Sequence, residues 1–144
     1  MKALDTNILV RFLVRDDERQ SKIVYRLFRQ AESEKTVFFV PLLVILETIW
    51  VLEAAYQISK TDILDAINDI LYLPILKFEA QPALKRFLID AQGKNADPSD
   101  VLIACSAKLM GCDTVLSFDK KASRLGVFEL VENGGLQLSE KNNF

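Results

Sequence analysis

Apolar positions along the chain follow two rhythms, short continuous runs and the three-to-four-residue spacing of a helix face. Lys2 to Leu4 is a short possible strand that stops at Asp5-Thr6-Asn7, residues that favour caps and turns over element interiors. Ile8, Leu9, Phe12 and Leu13 then keep helical spacing, so a helix is predicted to open at Ile8 and run to Val14. Asp16-Asp17-Glu18 interrupts it, and Ile23, Val24, Leu27, Phe28 and Ala31 mark a second helix, which makes the pair a helical hairpin. Thr36 to Val40 is β-branched and aromatic and reads as a buried strand, ended by Pro41 at the first turn of a helix reaching about Tyr56. Ser59 or Thr61 caps the next helix, Thr61 to Leu71. Ile75 to Phe78 is a short extended piece, and Ala80 to Ala91 is a helix ending near Gly93, in the Gly93-Lys94-Asn95 loop. Asp97-Pro98-Ser99-Asp100 is a strong helix start for a segment ending at Gly111. Thr114 to Phe118 reads as a strand stopped by Asp119, then come the basic turn Lys120-Lys121, a last strand from Val127 to Val131 and a polar tail.

Strands alternating with helices predict an α/β fold, a three-layer α/β/α sandwich with a mainly parallel central sheet, because parallel strands need crossover connections. The 144 residues suit a single domain spanning 1–144 that buries a core without disulfide staples. In such folds ligands gather outside the carboxyl ends of the strands, where Asp5 and Asp119 fall.

Composition narrows the chemistry. The chain has no histidine, which excludes Ser-His-Asp and Cys-His nucleophile systems, an imidazole base and every zinc site built on histidine. Its formal net charge of -2 gives no overall pull toward nucleic acid, so any such contact needs a local basic surface. Cys105 and Cys112, if both helical, lie about 10.5 Å apart in rise, too far for a disulfide, and read as reduced thiols of a cytoplasmic protein. A carboxylate at Asp5 breaks the apolar stretch a signal peptide needs, and the longest apolar run, Val37 to Leu46, contains Pro41 and stops at Glu47; neither secretion nor a membrane span is expected.

The acids then become the candidate chemistry. Asp5 and Asp119 close strands, while Asp97 and Asp100 open the helix between them. Glu47 interrupts Leu42-Leu43-Val44-Ile45-Leu46, where an ionised carboxylate is costly unless paired, and a divalent cation would pair it. Each acid also has a plainer use: Asp5 and Asp97 as helix caps, Asp119 as a turn residue, Glu47 on a wet stripe with Glu53 and Thr48. Gathered at one edge of one sheet, they form an all-oxygen set suited to Mg²⁺ or Mn²⁺, a known design for phosphodiester hydrolysis.

Four segments also carry a family resemblance: Lys2-Ala3-Leu4-Asp5-Thr6-Asn7, Leu46-Glu47-Thr48-Ile49-Trp50-Val51-Leu52, Ala96-Asp97-Pro98-Ser99-Asp100-Val101-Leu102-Ile103-Ala104 and Leu116-Ser117-Phe118-Asp119. In that order they resemble the PIN domain, in its VapC toxin branch, over nearly the whole chain. The resemblance implies an endoribonuclease that uses one or two Mg²⁺ or Mn²⁺ ions to activate water, restrained by a cognate antitoxin and assembled as a homodimer. It assigns Asp5, Glu47, Asp100 and Asp119 to the acidic quartet, adds Asp97 as a supplementary ligand, and gives Thr6, Asn7 and Ser117 supporting positions. Pro98 stands where the family commonly has an aromatic residue, and Ser117 where it commonly has threonine.

Arg11, Arg15, Arg19, Lys22, Arg26 and Arg29 recur through the hairpin, and Lys120, Lys121 and Arg124 follow Asp119. Of these, Arg11, Arg15, Lys120, Lys121 and Arg124 are the candidate RNA contacts, with a solvated helix face and a wet turn as the alternatives. Tyr25, Phe28 and Trp50 are assigned to the core or an interface, and no single-strand stacking platform is expected. The apolar share of 50% suggests that a second chain covers part of the surface. Two other functions compete: a receiver-like Mg²⁺-binding phosphoacceptor domain, which Lys120 suits but the lone Asp5 does not, and a binding scaffold without catalysis.

Overall fold

In the computed structural model, which describes residues 1–93 and 95–132, β1 (Lys2–Ala3) delivers the chain to Asp5, and α1 (Thr6–Leu13) starts there. The helix opens two residues before Ile8 because Asp5 adopts an extended conformation and its Oδ1 accepts the Thr6 amide proton at 2.8 Å. The hairpin follows as expected, with α2 (Glu18–Glu34) capped by Asp17, whose Oδ1 accepts from the Gln20 amide at 2.9 Å. Val24, Phe28 and Ala31 of α2 face the core, whereas Ile23 is exposed. Arg11 ties the hairpin shut: it donates to Gln20 Oε1 at 2.6 Å, to Asp16 Oδ1 at 3.0 Å and to the Tyr56 hydroxyl at 2.9 Å. Tyr56 in turn donates to Asp16 Oδ2 at 2.8 Å, and this bond, ahead of the nearby guanidinium, holds the Asp16 carboxyl below its ordinary range.

β2 (Phe38–Val40) lies between β1 and β3 (Leu76–Phe78) in a parallel sheet, with Lys2 opposite Phe38 and Phe38 opposite Leu76. The crossover between β2 and β3 is α3 (Leu42–Ala54) plus α4 (Lys60–Leu71), and of the two expected caps Ser59 is the one used, accepting from the Asp62 amide at 3.2 Å. Pro41 occupies the cap position before α3 rather than its first turn, and its side chain has nothing to offer the open amides. Glu79, just past β3, supplies the acceptor instead: its Oε2 takes the Leu42 amide proton at 2.8 Å. Glu79→Ala is therefore expected to cost about 0.5–1 kcal/mol, the usual contribution of a charged acceptor at a helix start, read as a lower urea midpoint at unchanged slope.

α5 (Gln81–Asp90) and α6 (Pro98–Leu109) pack on each other and lead along the chain to β4 (Val115–Ser117) and β5 (Phe128–Leu130). The described strands pair in parallel throughout, as the expected mainly parallel sheet requires. They form two groups, β1-β2-β3 and β4-β5, the second with Val115 opposite Phe128. Strands this short share few ladder positions, so helix packing joins the groups: α3 contacts α6 and the main core runs from Leu9 of α1 to Leu102 and Cys105 of α6. Ala104, Ala122 and Phe128 form a smaller core beneath β4 and β5. The α/β class with parallel strands and helical crossovers is as the sequence predicts. Lys120-Lys121 is not a plain turn, since it opens the one-turn helix α7 (Lys120–Ser123), and α6 ends at Leu109, two residues before Gly111. The polar tail and Lys94 of the predicted loop lie outside the described residues.

Both cysteines are free. Cys105 is buried in α6, its thiol pushed up to about 11 by burial and then by Asp90, while Cys112 is exposed beyond the helix. Iodoacetamide at neutral pH should therefore modify Cys112 and spare Cys105 until the protein unfolds, a difference that peptide mass spectrometry resolves.

Candidate active site

Three of the acids singled out by sequence are helix caps, and each uses one oxygen. Asp5 Oδ1 accepts from Thr6, Asp97 Oδ1 from Ser99 at 2.9 Å, and Asp119 Oδ1 from Lys121 at 2.8 Å and Ala122 at 3.4 Å. No hydrogen bond among the described residues reaches the second oxygen of any of them, and all three side chains are exposed. Capping and ligation are therefore compatible, because a carboxylate has acceptor sites for both.

Asp100 is the most perturbed of the group. It stands in the first turn of α6, partly buried, and its pKa is raised first by desolvation, then by the charges of Asp97 and Asp119, with Lys121 opposing them. Asp97, Asp100, Asp119 and Lys121 thus share one electrostatic neighbourhood, although α6 and β4 are different elements. The α7 turn explains the presence of Lys121: capping by Asp119 folds the chain back immediately after β4. Ser117 supports the same corner, its Oγ accepting the Asp119 amide proton at 3.0 Å.

Asp5 caps α1, and Glu47 lies on α3. α1 packs on α3 and α3 on α6, so the elements bearing Asp5, Glu47 and Asp100 are neighbours in series. Neither Asp5 nor Glu47 contributes to the shift at Asp100. Among the described residues no three acidic, cysteine or histidine side chains converge closely enough to hold a metal ion between them. The rotamers of Asp5, Asp97 and Asp119 serve their caps instead. The donor chemistry nevertheless fits a hard divalent cation: oxygen ligands only, with excess negative charge around Asp100.

Two sequence arguments change here. Glu47 is exposed, so the cost of burying it inside an apolar run does not arise. On α3 the fully buried positions are Ile45, Thr48, Ile49 and Leu52, while Leu43, Glu47, Trp50, Glu53 and Ala54 are exposed. Thr48, expected beside Glu47 on a wet face, is instead sealed in the core, its hydroxyl donating to the Val44 carbonyl at 2.6 Å. Thr6 is likewise buried and Asn7 exposed.

The basic candidates also separate. Arg11 is committed to Asp16, Gln20 and Tyr56, whereas Arg15, Lys120 and Arg124 are exposed with no ion pair among the described residues. Tyr25 and Trp50 are 55% and 62% exposed, so neither is a core residue; Phe28 is. Sequence reasoning missed Glu79 as a cap, because its partner lies 37 residues away, and Lys121 as a charge partner of Asp100.

Comparison with known proteins gives two findings. The PIN domain matches residues 2–127, a span containing every acid discussed above. A VapC ribonuclease of Aquifex aeolicus (strain VF5) is 29% identical over 126 residues, covering 88% of this chain and 93% of that protein.

Proposed function

This chain belongs to the PIN domain family, and from that premise we propose that it is a divalent-metal-dependent endoribonuclease, the toxin of a toxin–antitoxin pair. The ribonuclease relative, aligned over most of both chains, supports the activity. The observation that carries the site is Asp100, pressed by burial and two neighbouring carboxylates in a chain without histidine. A receiver-like phosphoacceptor is not favoured, because the family match runs through all four acidic segments.

Asp5, Glu47, Asp100 and Asp119, with Asp97 as a supplement, would hold one or two Mg²⁺ or Mn²⁺ ions. Such an ion supplies water activation and neutralises charge on the phosphate and the departing ribose oxygen. The chain's own groups do the rest. The Thr6, Ser99, Lys121 and Ala122 amides fix the carboxylates through one oxygen each and leave the other for a ligand. Ser117 holds the Asp119 corner, and Lys121 offers positive charge to Asp100 or to an incoming phosphate. Lys120 and Arg124, exposed on and beside α7, are suited to RNA phosphates, with Asn7 as a polar neighbour of Asp5.

A homodimer and an antitoxin complex in the cytoplasm complete the reading. They are supported by the exposed apolar side chains Leu43 and Trp50 on α3 and Phe118 after β4, 77%, 62% and 83% exposed. Among the described residues no helix is long and apolar enough to cross a membrane. The test is incubation of the purified, antitoxin-free protein with a defined pool of structured RNAs. Cutting with Mg²⁺ or Mn²⁺ that stops in EDTA is the expected result; cutting that persists in EDTA rules the metal-dependent mechanism out.

A further inference from the structure

The α1–α2 hairpin carries an open cleft of about 550 Å³ whose lining includes Phe12, Arg15, Lys22, Tyr25 and Arg26, with Glu18 its one acid. Its cations are not equivalent. Arg11, which also borders it, is held by Asp16, Gln20 and Tyr56, and Lys22 is paired with Glu18 at 2.9 Å. Arg15 and Arg26 are exposed and make no hydrogen bond or ion pair among the described residues. In a chain of net charge -2, two uncommitted guanidinium groups in one cleft mark a local anion site. Beside them Tyr25 offers an exposed ring, and the wall is firm because Phe12 packs on the core residue Phe28 with ring centroids 4.8 Å apart. The cleft also lies on the helix that Asp5 caps, toward its far end, about 12 Å along an eight-residue helix.

We propose that this cleft binds a single-stranded stretch of RNA, Arg15 and Arg26 taking phosphates and Tyr25 stacking on a base. The inference rests on the ribonuclease reading, since the bound strand is a part of the substrate away from the acids. An acidic peptide would also satisfy the guanidinium groups, but an exposed ring beside two free cations in one cleft suits a strand that carries both phosphates and bases.

The test is fluorescence anisotropy of a short fluorescein-labelled oligouridylate titrated with the full chain in EDTA, where binding is read without turnover. Arg15→Gln/Arg26→Gln should weaken binding about tenfold or more and lower the slope of log affinity against log salt by about 1.4, two phosphate contacts at about 0.7 each. Tyr25→Ala should weaken it at least about fivefold, and Tyr25→Phe should retain it. Lys77→Gln/Lys85→Gln removes the same charge from exposed positions on β3 and α5 and should change neither reading. Equal loss from both double variants would mean that net charge alone attracts the probe, and overturns the proposal. So does unchanged binding in the cleft variants, or an oligoglutamate peptide that occupies the cleft more tightly than the oligonucleotide. Cleavage assays on the same preparations separate the two readings. RNA that is cut without cleft-dependent binding overturns this inference alone, and cleft-dependent binding without cutting overturns only the catalytic one.

Discussion

Asp100→Asn is expected to abolish RNA cleavage while leaving the protein at least as heat-stable as the wild type. The first half follows from the proposed role of Asp100 as a ligand. Losing the cation's stabilisation of transition-state charge, several kcal/mol, lowers the rate at least about a hundredfold. The second half follows from its surroundings. Burial, Asp97 and Asp119 raise the Asp100 pKa, so the native state binds that proton more tightly than the unfolded chain does. The favourable contribution is present in full below the unfolded carboxylate pKa and is lost as pH rises through the folded one. At neutral pH without a cation the ionised Asp100 is therefore a destabilising group, and the neutral amide removes that repulsion. Thermal melts in EDTA should show the variant level with or above the wild type at pH 7, and the gap should close toward pH 4. Added Mg²⁺ or Mn²⁺ should raise the wild-type Tm and move the variant less. A variant that loses cleavage because it unfolds, or that keeps cleaving, refutes this assignment of Asp100.

Phe87→Ala is expected to cost about 3–5 kcal/mol, the largest stability loss from any single change considered. Phe87 is fully buried on α5, the helix packed against α6, and truncating it leaves a cavity directly behind the element that carries Asp97 and Asp100. That loss is a large share of the stability of an ordinary domain. Urea unfolding should show a sharp fall in midpoint. Cleavage should fall in step with the folded fraction, because Phe87 is a buried apolar side chain outside the proposed ligand set. If activity disappears while the protein remains folded, α5 contributes to the site in a way that packing alone does not explain.

How far the site could be read in advance varies with each residue. Asp97 and Asp100 were legible, because an acid, a proline and another acid within four positions specify a helix start whatever lies around them. Asp5 was legible as a cap and as a ligand candidate, and its geometry accommodates both readings, one oxygen on the Thr6 amide and one without a hydrogen bond. Of the two grounds for singling out Glu47, its family resemblance and its apolar setting, the second fails. Its apolar neighbours suggested burial, but a helix turns each residue by a fixed angle, and that rotation exposes Glu47 with Leu43 and Trp50 while Thr48 goes inside. Arg11 looked like one more cation in a basic stripe; its partner Tyr56 lies 45 residues on and gives no local sign.

The order of the strands and longer helices, the local caps Asp5, Ser59 and Asp97, and the placing of acids at element ends were determined by the sequence alone. Propensity, capping and periodicity act over one or two turns of chain. What only the tertiary structure decided is which distant segments meet. The strands pair as β1-β2-β3 and β4-β5, Glu79 rather than a local residue caps α3, and Asp100 takes its charge environment from Asp119 and Lys121. These outcomes depend on how helices pack, and Coulomb interactions and desolvation are set by distances through space rather than by separation along the chain.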